Sequence, residues 1–275
     1  MEQPYEKMQK HTHIYTFVLY NPTESLYDRI ELLLNKGQIV WVYQNSQISE
    51  KVKKKIISSG LCRVYGDCSN DGLGVALAVL AEDALNSNYA YMINFDQDTL
   101  FTVDTIDSLN TDFLRSAFES DYATIQVADK ELMSQINAKE HCGIFEKYLT
   151  INSGSIFDLR KMSLIGFHDR SFFVDGVDYE YSFRCRSSGY RCGVIGSIPD
   201  IDHRSEQGNF AIKLFGKTLI LRNYPLERVK DYNRAMFRLL VKSFYKMDLV
   251  FALLFLKHLL VYNSLAIVAK LYKDR

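Results

Sequence analysis

The stretch YAYMINFDQD at residues 89–98 carries the clearest signal of the fold in this chain. Its apolar and aromatic first part predicts a buried strand, and the polar triplet at 96–98 follows directly. Upstream, a loop with two glycines at 70–74 runs into an alanine-rich segment that predicts a helix over 75–85. Loop, helix and a strand that ends in two carboxylates together indicate one unit of an α/β fold.

The same pattern recurs towards the N-terminus. A strand predicted over 14–19 ends in Tyr20-Asn21-Pro22, and one over 39–43 ends in Gln44-Asn45-Ser46. Helices are predicted over 25–36, 49–59, 103–109 and after residue 167, and further strands over 62–65, 123–127, 150–157 and 191–195. This alternation predicts a mostly parallel central sheet flanked by helices. Ligands bind such sheets outside the carboxyl ends of the strands, where these polar residues gather.

The C-terminal part differs in charge and pattern. From residue 211 onward the sequence reads as amphipathic helix, and residues 213–275 hold 13 basic against 4 acidic side chains. We expect an α/β domain over 1–212, with halves at about 14–100 and 101–212, and a helical tail over 213–275. A basic, apolar-striped helix can lie on an anionic membrane surface, although packing on the α/β domain is an equal alternative. Its basic residues are Lys230, Arg234, Arg238, Lys242 and Lys246.

Composition excludes several classes of protein. The 275 residues are 47% hydrophobic and 24% charged, which excludes a disordered, collagen-like or disulfide-stapled chain. Formal neutrality argues against nucleic-acid binding. The five cysteines form no C-x-x-C pair and the N-terminal residues lack an apolar signal core, so a cytoplasmic location is expected. The apolar run at 249–260 is expected to be too short to span a bilayer.

Asp96 and Asp98 are candidates for binding a divalent metal. Two carboxylates at one strand end supply the oxygen ligands that Mg²⁺ and Mn²⁺ prefer. A solvated turn that caps the following helix is the competing interpretation. The loop at 70–74 lacks the G-K-[ST] ending of a P-loop and the glycine spacing of a dinucleotide site.

A second acidic cluster lies in FFVDGVDYE at 172–180. An Asp in this segment is a candidate general base for a hydroxyl group. The alternative is an acidic helix N-terminus stabilised by the helix dipole, with Glu180 and Arg184 as an i,i+4 pair. Two smaller candidates are the turn Asn152-Ser153-Gly154, where a backbone can approach a ligand closely, and His203 after a predicted strand.

In this order the motifs resemble the family 2 glycosyltransferases of GT-A fold, and within them the bacterial rhamnosyltransferase-like branch. The resemblance covers about residues 14–210. It rests on Tyr20-Asn21-Pro22, Asn45-Ser46, Asn70-x-Gly72-Leu73, Asp96-Gln97-Asp98, Asn152-Ser153-Gly154, the segment from Phe172 to Arg184, Gly189-Tyr190 and His203.

The resemblance implies an inverting transfer of a sugar from dTDP-rhamnose or a UDP-hexose. The acceptor would be a hydroxyl of a glycan or polyprenyl-linked glycan in the synthesis of bacterial O-antigen or capsule. Such an enzyme would work in the cytoplasm, peripherally on the inner face of the cell membrane. A catalytically silent GT-A domain that acts as an assembly subunit, and a nucleotidyltransferase, are the competing functions.

The resemblance also implies that the domain over 1–212 is catalytic, with a nucleotide-sugar half at about 14–100 and an acceptor half at about 101–212. Asp98 and His203 would bind Mn²⁺ or Mg²⁺ at the donor diphosphate, and Asp178 would be the catalytic base. The implied nucleotide-sugar residues are Tyr20, Asn21, Gln44, Asn45, Asn70, Gly72 and Asp96. The implied acceptor or sugar pocket contains Asn152, Ser153, Gly154, Asp175 and Glu180. Gln44 stands where the family usually has a base-reading Asp, and Val177 where it usually has Glu.

Overall fold

The computed structural model describes residues 12–129, 132, 140–141, 143–203, 209–214, 217–222 and 225–273. The polar N-terminal residues up to position 11, and Cys142, lie outside this part of the chain. The chain divides into two compact units, of which the first comprises Met1–Ser171 with Val177–Arg204. The second comprises Phe172–Gly176 with Ser205–Arg275.

The first unit opens with strands and helices in alternation, as the apolar runs predict. They are β1 (His13–Leu19), α1 (Glu24–Asn35), β2 (Val40–Gln44), α2 (Glu50–Ile57), β3 (Cys62–Tyr65), α3 (Leu73–Asn86) and β4 (Tyr91–Asp96). All five residues of β2 are buried, as expected of a parallel strand that is covered on both faces. The lysine-rich α2 buries only Ile56, so it is the exposed helix that its composition predicts.

The remainder of this unit holds shorter elements. They are β5 (Thr99–Leu100), α4 (Val103–Ser108), α5 (Thr111–Ala117), β6 (Tyr122–Val127), β7 (Glu140–His141), β8 (Ile144–Glu146), β9 (Ser155–Asp158), α6 (Leu159–Ile165), α7 (Val177–Ser187), β10 (Arg191–Ile195) and β11 (Asp202–His203). The strand predicted over 150–157 begins only at Ser155. The reason is that Gly154 has a φ of +67°, a left-handed conformation that does not continue a strand.

Nine of the described strands form one sheet in the order β3-β2-β1-β4-β9-β6-β10-β8-β7. The first four are parallel, as predicted, whereas β9 inserts antiparallel between β4 and β6, and β8 pairs antiparallel with both β10 and β7. The sheet is therefore mixed, with most strands in one direction, and the predicted α/β fold with a central sheet flanked by helices is confirmed. Pairing places Leu19 beside Gln44 and Val18 beside Asp96, so the carboxyl ends of β2, β1 and β4 adjoin.

Buried side chains cover both faces of this sheet, because successive residues of a strand point to opposite sides. Along β1, Tyr15 and Phe17 belong to one cluster of buried residues, and Ile14 belongs to the other. Trp41 of β2 joins the cluster of Ile14. The sheet thus has the two-sided core that the helices on its faces require.

The second unit corrects the prediction of continuous helix from residue 211. Residues Asn209–Leu214 and Lys217–Arg222 form an antiparallel hairpin, β12 and β13. The apolar residues Phe210, Ile212 and Leu214 recur at every second position, which is the period of a strand. The helical tail is present beyond it as α8 (Leu226–Tyr245) and α9 (Leu249–Lys273).

The apolar run in α9 is longer than predicted. It does not end at residue 260, and the 22-residue segment Leu249–Lys270 is long and apolar enough, by length and composition, to cross a membrane. Only 17% of its most apolar window is buried within the protein. The expectation that this run is too short to span a bilayer is therefore wrong.

Candidate functional site

The triplet at 96–98 is tied to the loop after β1. The Tyr20 amide donates to Gln97 Oε1 at 2.9 Å, and Gln97 Nε2 donates back to the Tyr20 carbonyl at 3.0 Å. The buried Arg29 guanidinium also donates to the Gln97 carbonyl. Gln97 therefore fixes the triplet, and the half-buried Asp96 and Asp98 flank this anchored residue on either side.

The end of β2 is fastened to the loop after β3. The buried Gln44 donates through Nε2 to the Gly66 carbonyl at 2.8 Å. Gly66 has a φ of +79°, and a Cβ there would lie 2.8 Å from the Gln44 carbonyl oxygen, so this approach requires glycine. The Gln44 side chain is thus held in one orientation beside the carboxyl ends of the strands.

The segment at 70–72 meets β2 through Asp71. The Asp71 amide donates to Asn45 Oδ1 at 3.2 Å, and the Tyr43 hydroxyl donates to Asp71 Oδ2 at 2.7 Å. Burial, and secondarily the bond to Asp71, raise the pKa of Tyr43 to about 12. Asn70 is exposed, and Gly72 lies at the N-cap of α3 with a φ of +86°.

Asn21, one of the predicted nucleotide-sugar residues, also lies in a loop that hydrogen bonds hold in place. It has a φ of +48°, in the left-handed region that Asn tolerates better than most residues. Its amide donates to Ser46 Oγ at 2.7 Å, and the Asn45 amide donates to the Leu19 carbonyl at 2.8 Å. The loops after β1 and β2 therefore support each other.

The turn at 152–154 joins this edge from the side of β9. Buried Asn94 of β4 accepts from Thr16 Oγ1 at 3.1 Å and donates to the Asn152 carbonyl at 3.2 Å. Ser153 Oγ bonds to Thr99 Oγ1 and lies 3.5 Å from the Asp96 amide. The turn is therefore coupled to both the start and the end of the 96–99 segment.

His203 is held by both ring nitrogens. Nε2 lies 3.0 Å from the Val127 carbonyl, which fixes this nitrogen as the donor, and Nδ1 lies 3.1 Å from Ser153 Oγ, so a neutral ring accepts there. A Cβ on Gly154 would lie 2.7 Å from the His203 ring, so the glycine makes room for it. In this arrangement a metal would have to displace Ser153 from Nδ1, and the metal role of His203 stays a prediction.

Helix α7 carries Asp178 and Glu180 in its first turn. Asp178 is half-buried, and its Oδ1 accepts from the Tyr179 amide at 2.9 Å. The Glu180 side chain is 1% exposed, and both of its oxygens accept from Arg184 Nε, at 2.9 and 2.8 Å. The i,i+4 pair is therefore present, while a direct role of Glu180 in a sugar pocket stays a prediction.

Arg184 reaches further than the sequence indicates. Its two terminal nitrogens donate to the carbonyls of Ile165, Gly166 and Phe167, at the end of α6. The next residue, His168, is buried and bonds through Nε2 to Asn152 Oδ1 at 3.2 Å. Burial, with the nearby Arg184 charge, lowers the pKa of His168 to about 3.

Gln97, Arg184 and His168 are thus supporting residues that the sequence analysis did not assign. Gln97 occupies the variable position of the D-x-D motif, and a lone His in a loop carries no spacing signal. For Arg184 the sequence predicted only the i,i+4 pair with Glu180. It did not predict the hydrogen bonds of Arg184 to the backbone at the end of α6.

Asp175 belongs to the second unit. Its Oδ2 lies 3.6 Å from Arg228 Nε, and its backbone amide donates to Asp231 Oδ2 at 3.2 Å. Burial raises the pKa of the Asp175 carboxyl to about 6, the Arg228 charge opposes this shift, and Asp231 adds to it.

A cavity of about 520 Å³ opens at the opposite end of the sheet. It is lined by His13 at the start of β1, by Gln38 just before β2, and by Lys36 and Asp107, which form an ion pair at 2.9 Å. It therefore lies at the amino ends of the strands. Strand polarity argues that the carboxyl-end cluster is the better candidate for chemistry.

No family model matches the sequence. In sequence, the chain is similar to the dTDP-rhamnosyl transferase RfbF of Shigella flexneri, with 24% identity over 225 residues that cover 77% of this chain and 74% of the relative.

Two solved structures share the fold. GalNAc-T7, crystallised with UDP, GalNAc and Mn²⁺, gives a TM-score of 0.54 at 12% identity over 82% of this chain. S. aureus TarS 1-349, in complex with UDP-GlcNAc, gives 0.54 at 12% identity over 84% of this chain. The chain spans 47% of the GalNAc-T7 chain and 66% of the TarS chain. The predicted GT-A fold is confirmed.

Proposed function

We propose that this chain, a glycosyltransferase of GT-A fold similar to family 2, transfers one sugar. The donor is a nucleotide-diphosphate sugar and the acceptor is a hydroxyl group of a glycan. The similarity to a rhamnosyltransferase makes dTDP-rhamnose the first donor to test, and a UDP-hexose the second. The acceptor we propose is a glycan or lipid-linked glycan of a bacterial surface polysaccharide.

One observation carries this proposal. The reciprocal bonds between Gln97 and Tyr20 hold two carboxylates, Asp96 and Asp98, against the loop after β1. The pairing of β1 with β2 brings Gln44 to the same edge. Carboxylates, amides and backbone groups at one sheet edge can recognise a ribose, a base and a metal-bound diphosphate.

The side chains at this edge fit a divalent cation held jointly by protein and donor. Among the residues that the structure describes, no group of three or more His, Cys, Asp or Glu side chains is placed to form a complete metal cage. Mg²⁺ and Mn²⁺ at phosphate sites commonly use one or two carboxylates and take their other ligands from phosphate and water. Asp98, with Asp96 next to it, supplies that number. The cation would stabilise the charge on the leaving diphosphate.

Asp178 is the base that we propose for the acceptor hydroxyl. It is half-buried and has a backbone partner, so its orientation is limited. The N-terminus of α7 favours the ionised carboxylate that a base requires. In the transfer, Asp178 takes the hydroxyl proton, the acceptor oxygen bonds to the anomeric carbon, and the bond to the diphosphate oxygen breaks with inversion.

Nucleotide binding and turnover test this function separately. Thermal unfolding of the full chain is measured with UDP, dTDP, GDP and ADP, each with Mn²⁺ and with EDTA. A nucleotide at a hundred times its Kd adds about 2.7 kcal/mol to the free energy of unfolding. Stabilisation by UDP or dTDP that requires Mn²⁺ is the expected result, and absence of any response contradicts the proposal.

Substitution of the base completes the test. Asp178→Asn is expected to abolish sugar transfer while metal-dependent nucleotide binding persists, because the base does not contact the nucleotide. Asp104→Asn is the matched control, since Asp104 is exposed and occupies the same position in the first turn of α4. Transfer unchanged by Asp178→Asn would remove Asp178 from the mechanism, and pyrophosphate release from a nucleoside triphosphate would indicate a nucleotidyltransferase instead.

A further inference from the structure

Large apolar side chains are exposed around the turn between α8 and α9. Phe244, Tyr245, Met247, Leu249 and Val250 expose between 55% and 87% of their surface. We call these five residues the hairpin tip. Five large apolar residues exposed within seven positions are unusual on a soluble monomer, and a contiguous patch of this kind marks a surface that contacts a membrane or a protein.

The apolar surface continues along α9. Leu253, Leu256, Leu260 and Ile267 are exposed at helical spacing, so they extend one stripe from the tip. In contrast, Phe251 and Phe255 on the other side of α9 are fully buried. α9 is therefore apolar on both its buried and its exposed side, and none of the described residues of its unit covers the exposed stripe.

The two helices form a fixed antiparallel pair. Asn233 and Asn263 exchange amide hydrogen bonds at 2.9 and 2.6 Å, and the rings of Tyr232 and Tyr262 stack at 3.7 Å. α8 faces inward with Ala235, Met236 and Leu239, which are buried. The exposed stripe is thus the outer side of a packed hairpin, because the inner side is already used.

The charge of the two helices indicates the kind of partner that the exposed apolar surface contacts. Residues 226–273 contain nine Lys or Arg against three Asp or Glu, and within this range no acidic residue follows Asp248. Lys246 at the tip and Lys257 beside the stripe are exposed, and Asp248 is occupied in capping the Phe251 amide. Apolar side chains mixed with cations and lacking anions complement the interface of an anionic bilayer.

We propose that the α8–α9 hairpin binds an anionic lipid bilayer, with the hairpin tip and the α9 stripe inserted at the level of the headgroups. The hairpin lies in the interface and does not cross it. This inference stands apart from the sugar-transfer reaction, since it rests only on the second unit.

The pairing with α8 excludes a transmembrane position for α9. If α9 crossed the hydrocarbon, the bonds at Asn233 would bring α8 with it. The middle of α8 carries Arg234 and Arg238, and each charge is costly at the centre of a bilayer. At the interface the same cations can reach the lipid headgroups.

A second copy of the chain fits this surface less well than lipid does. In a two-fold symmetric dimer the same patch faces itself, so the cations of both copies, Lys246 and Lys257 among them, would share one interface. Within the described residues of α9 no acidic side chain is present to compensate these charges.

Co-sedimentation of the full chain with vesicles tests the proposal. Vesicles of phosphatidylcholine alone are compared with vesicles that contain phosphatidylglycerol, at low and high salt. We expect binding to the anionic vesicles that weakens with salt, and a loss of roughly tenfold or more for Leu253→Glu/Leu260→Glu. Lys246→Gln/Lys257→Gln is expected to weaken only the anionic preference, by roughly fivefold for each charge.

The matched control is Leu164→Glu, which changes an equally exposed leucine on α6 of the other unit and is expected to bind like the wild type. Circular dichroism melting of every variant checks that each is folded. The proposal is overturned if the wild-type chain stays in the supernatant with both kinds of vesicle. It is equally overturned if Leu253→Glu/Leu260→Glu dissolves a dimer and leaves vesicle binding unchanged. Retention of the bound chain after carbonate extraction would overturn the interfacial position.

Discussion

Gln97 and Tyr20, which are 77 residues apart, exchange two hydrogen bonds, so that the amide side chain of Gln97 pairs with the backbone of Tyr20 in the manner of a neighbouring strand. The bonds continue the pairing of β1 with β4 past the point where both strands end. Asp96 and Asp98 are therefore presented by a segment whose middle residue is anchored.

Removal of this anchor should weaken the proposed donor site more than the fold. Gln97→Ala deletes both hydrogen bonds, each of which contributes about 1 kcal/mol when intact. Because the pair is exposed to solvent, we expect the free energy of unfolding to fall by less than about 1 kcal/mol. The KM for the donor should rise roughly fivefold, since the two carboxylates lose their fixed orientation.

The control for this variant is Gln47→Ala, which removes an exposed glutamine from the loop after β2. Initial-rate kinetics with varied donor measure both variants. Equal donor KM values for Gln97→Ala and wild type would show that the anchor does not position the site.

Removal of one partner of the Glu180–Arg184 pair should destabilise the fold strongly. Arg184→Met leaves the carboxylate of Glu180, which is 1% exposed, without its main partner. Loss of one partner of a buried ion pair costs about 3–5 kcal/mol. Urea unfolding should show this loss, and the double variant Glu180→Leu/Arg184→Met should recover part of it, because the buried charge is then absent.

Arg186→Met is the matched control on the same helix. Arg186 pairs with Glu146, whose side chain is 38% exposed, and lies over the Tyr148 ring. Its loss should cost no more than about 1–2 kcal/mol. Similar costs for Arg184→Met and Arg186→Met would contradict the assignment of a buried anchor to Arg184.

His168 should make the fold sensitive to acid. Its pKa is lowered from 6.5 to about 3, chiefly by burial. Between these values the unfolded chain binds a proton that the native chain excludes, so the free energy of unfolding falls as the pH decreases. Between pH 7 and pH 5, protonation of His168 in the unfolded chain lowers the free energy of unfolding by about 2 kcal/mol.

Urea unfolding at pH 7, 6 and 5 measures this effect as a difference between wild type and His168→Gln. Carboxylates elsewhere titrate in both proteins, so their contributions cancel in the difference. We expect the variant to lose less stability than the wild type as the pH falls. Parallel pH dependences would show that folding does not lower the pKa of His168.

The sequence predicted the part of the fold in which local pattern and final structure agree. β1, β2 and β4 are apolar runs that end in polar residues, and any parallel sheet places such ends together. The hairpin at 209–222 was missed because its Leu and Ile residues are dense enough to fit a helical as well as an alternating pattern. The apolar run in α9 was predicted to be too short because the cation Lys257 interrupts it, whereas a lysine side chain can extend to solvent.

The site was predictable only at the level of residue types. Asp96 and Asp98 have a motif, but the partners that orient them, such as Gln97 and Ser153, are chosen by side-chain geometry between distant segments. His168 has no local signal at all, since its single bond to Asn152 follows from the path of the loop after α6. Such contacts depend on tertiary structure, and sequence spacing does not encode them.

Gly154 connects backbone conformation to the placement of His203. An alanine there would adopt a φ near +67° and set its Cβ 2.7 Å from His203 Cε1 and 2.9 Å from Ile201 Cδ1. The ring must then move, which breaks its bonds to Val127 and Ser153. With the backbone strain added, Gly154→Ala should lower the free energy of unfolding by about 3 kcal/mol.

Gly60→Ala separates the strain from the displacement of the ring. Gly60 has a φ of +70°, but a Cβ there would meet no atom within 4 Å, so this variant should cost only about 1 kcal/mol. Urea unfolding compares the two, and the NMR signal of the His203 Cε1 proton should shift in Gly154→Ala alone. An unshifted His203 signal together with equal losses of stability would mean that the glycine serves the backbone turn and not the histidine.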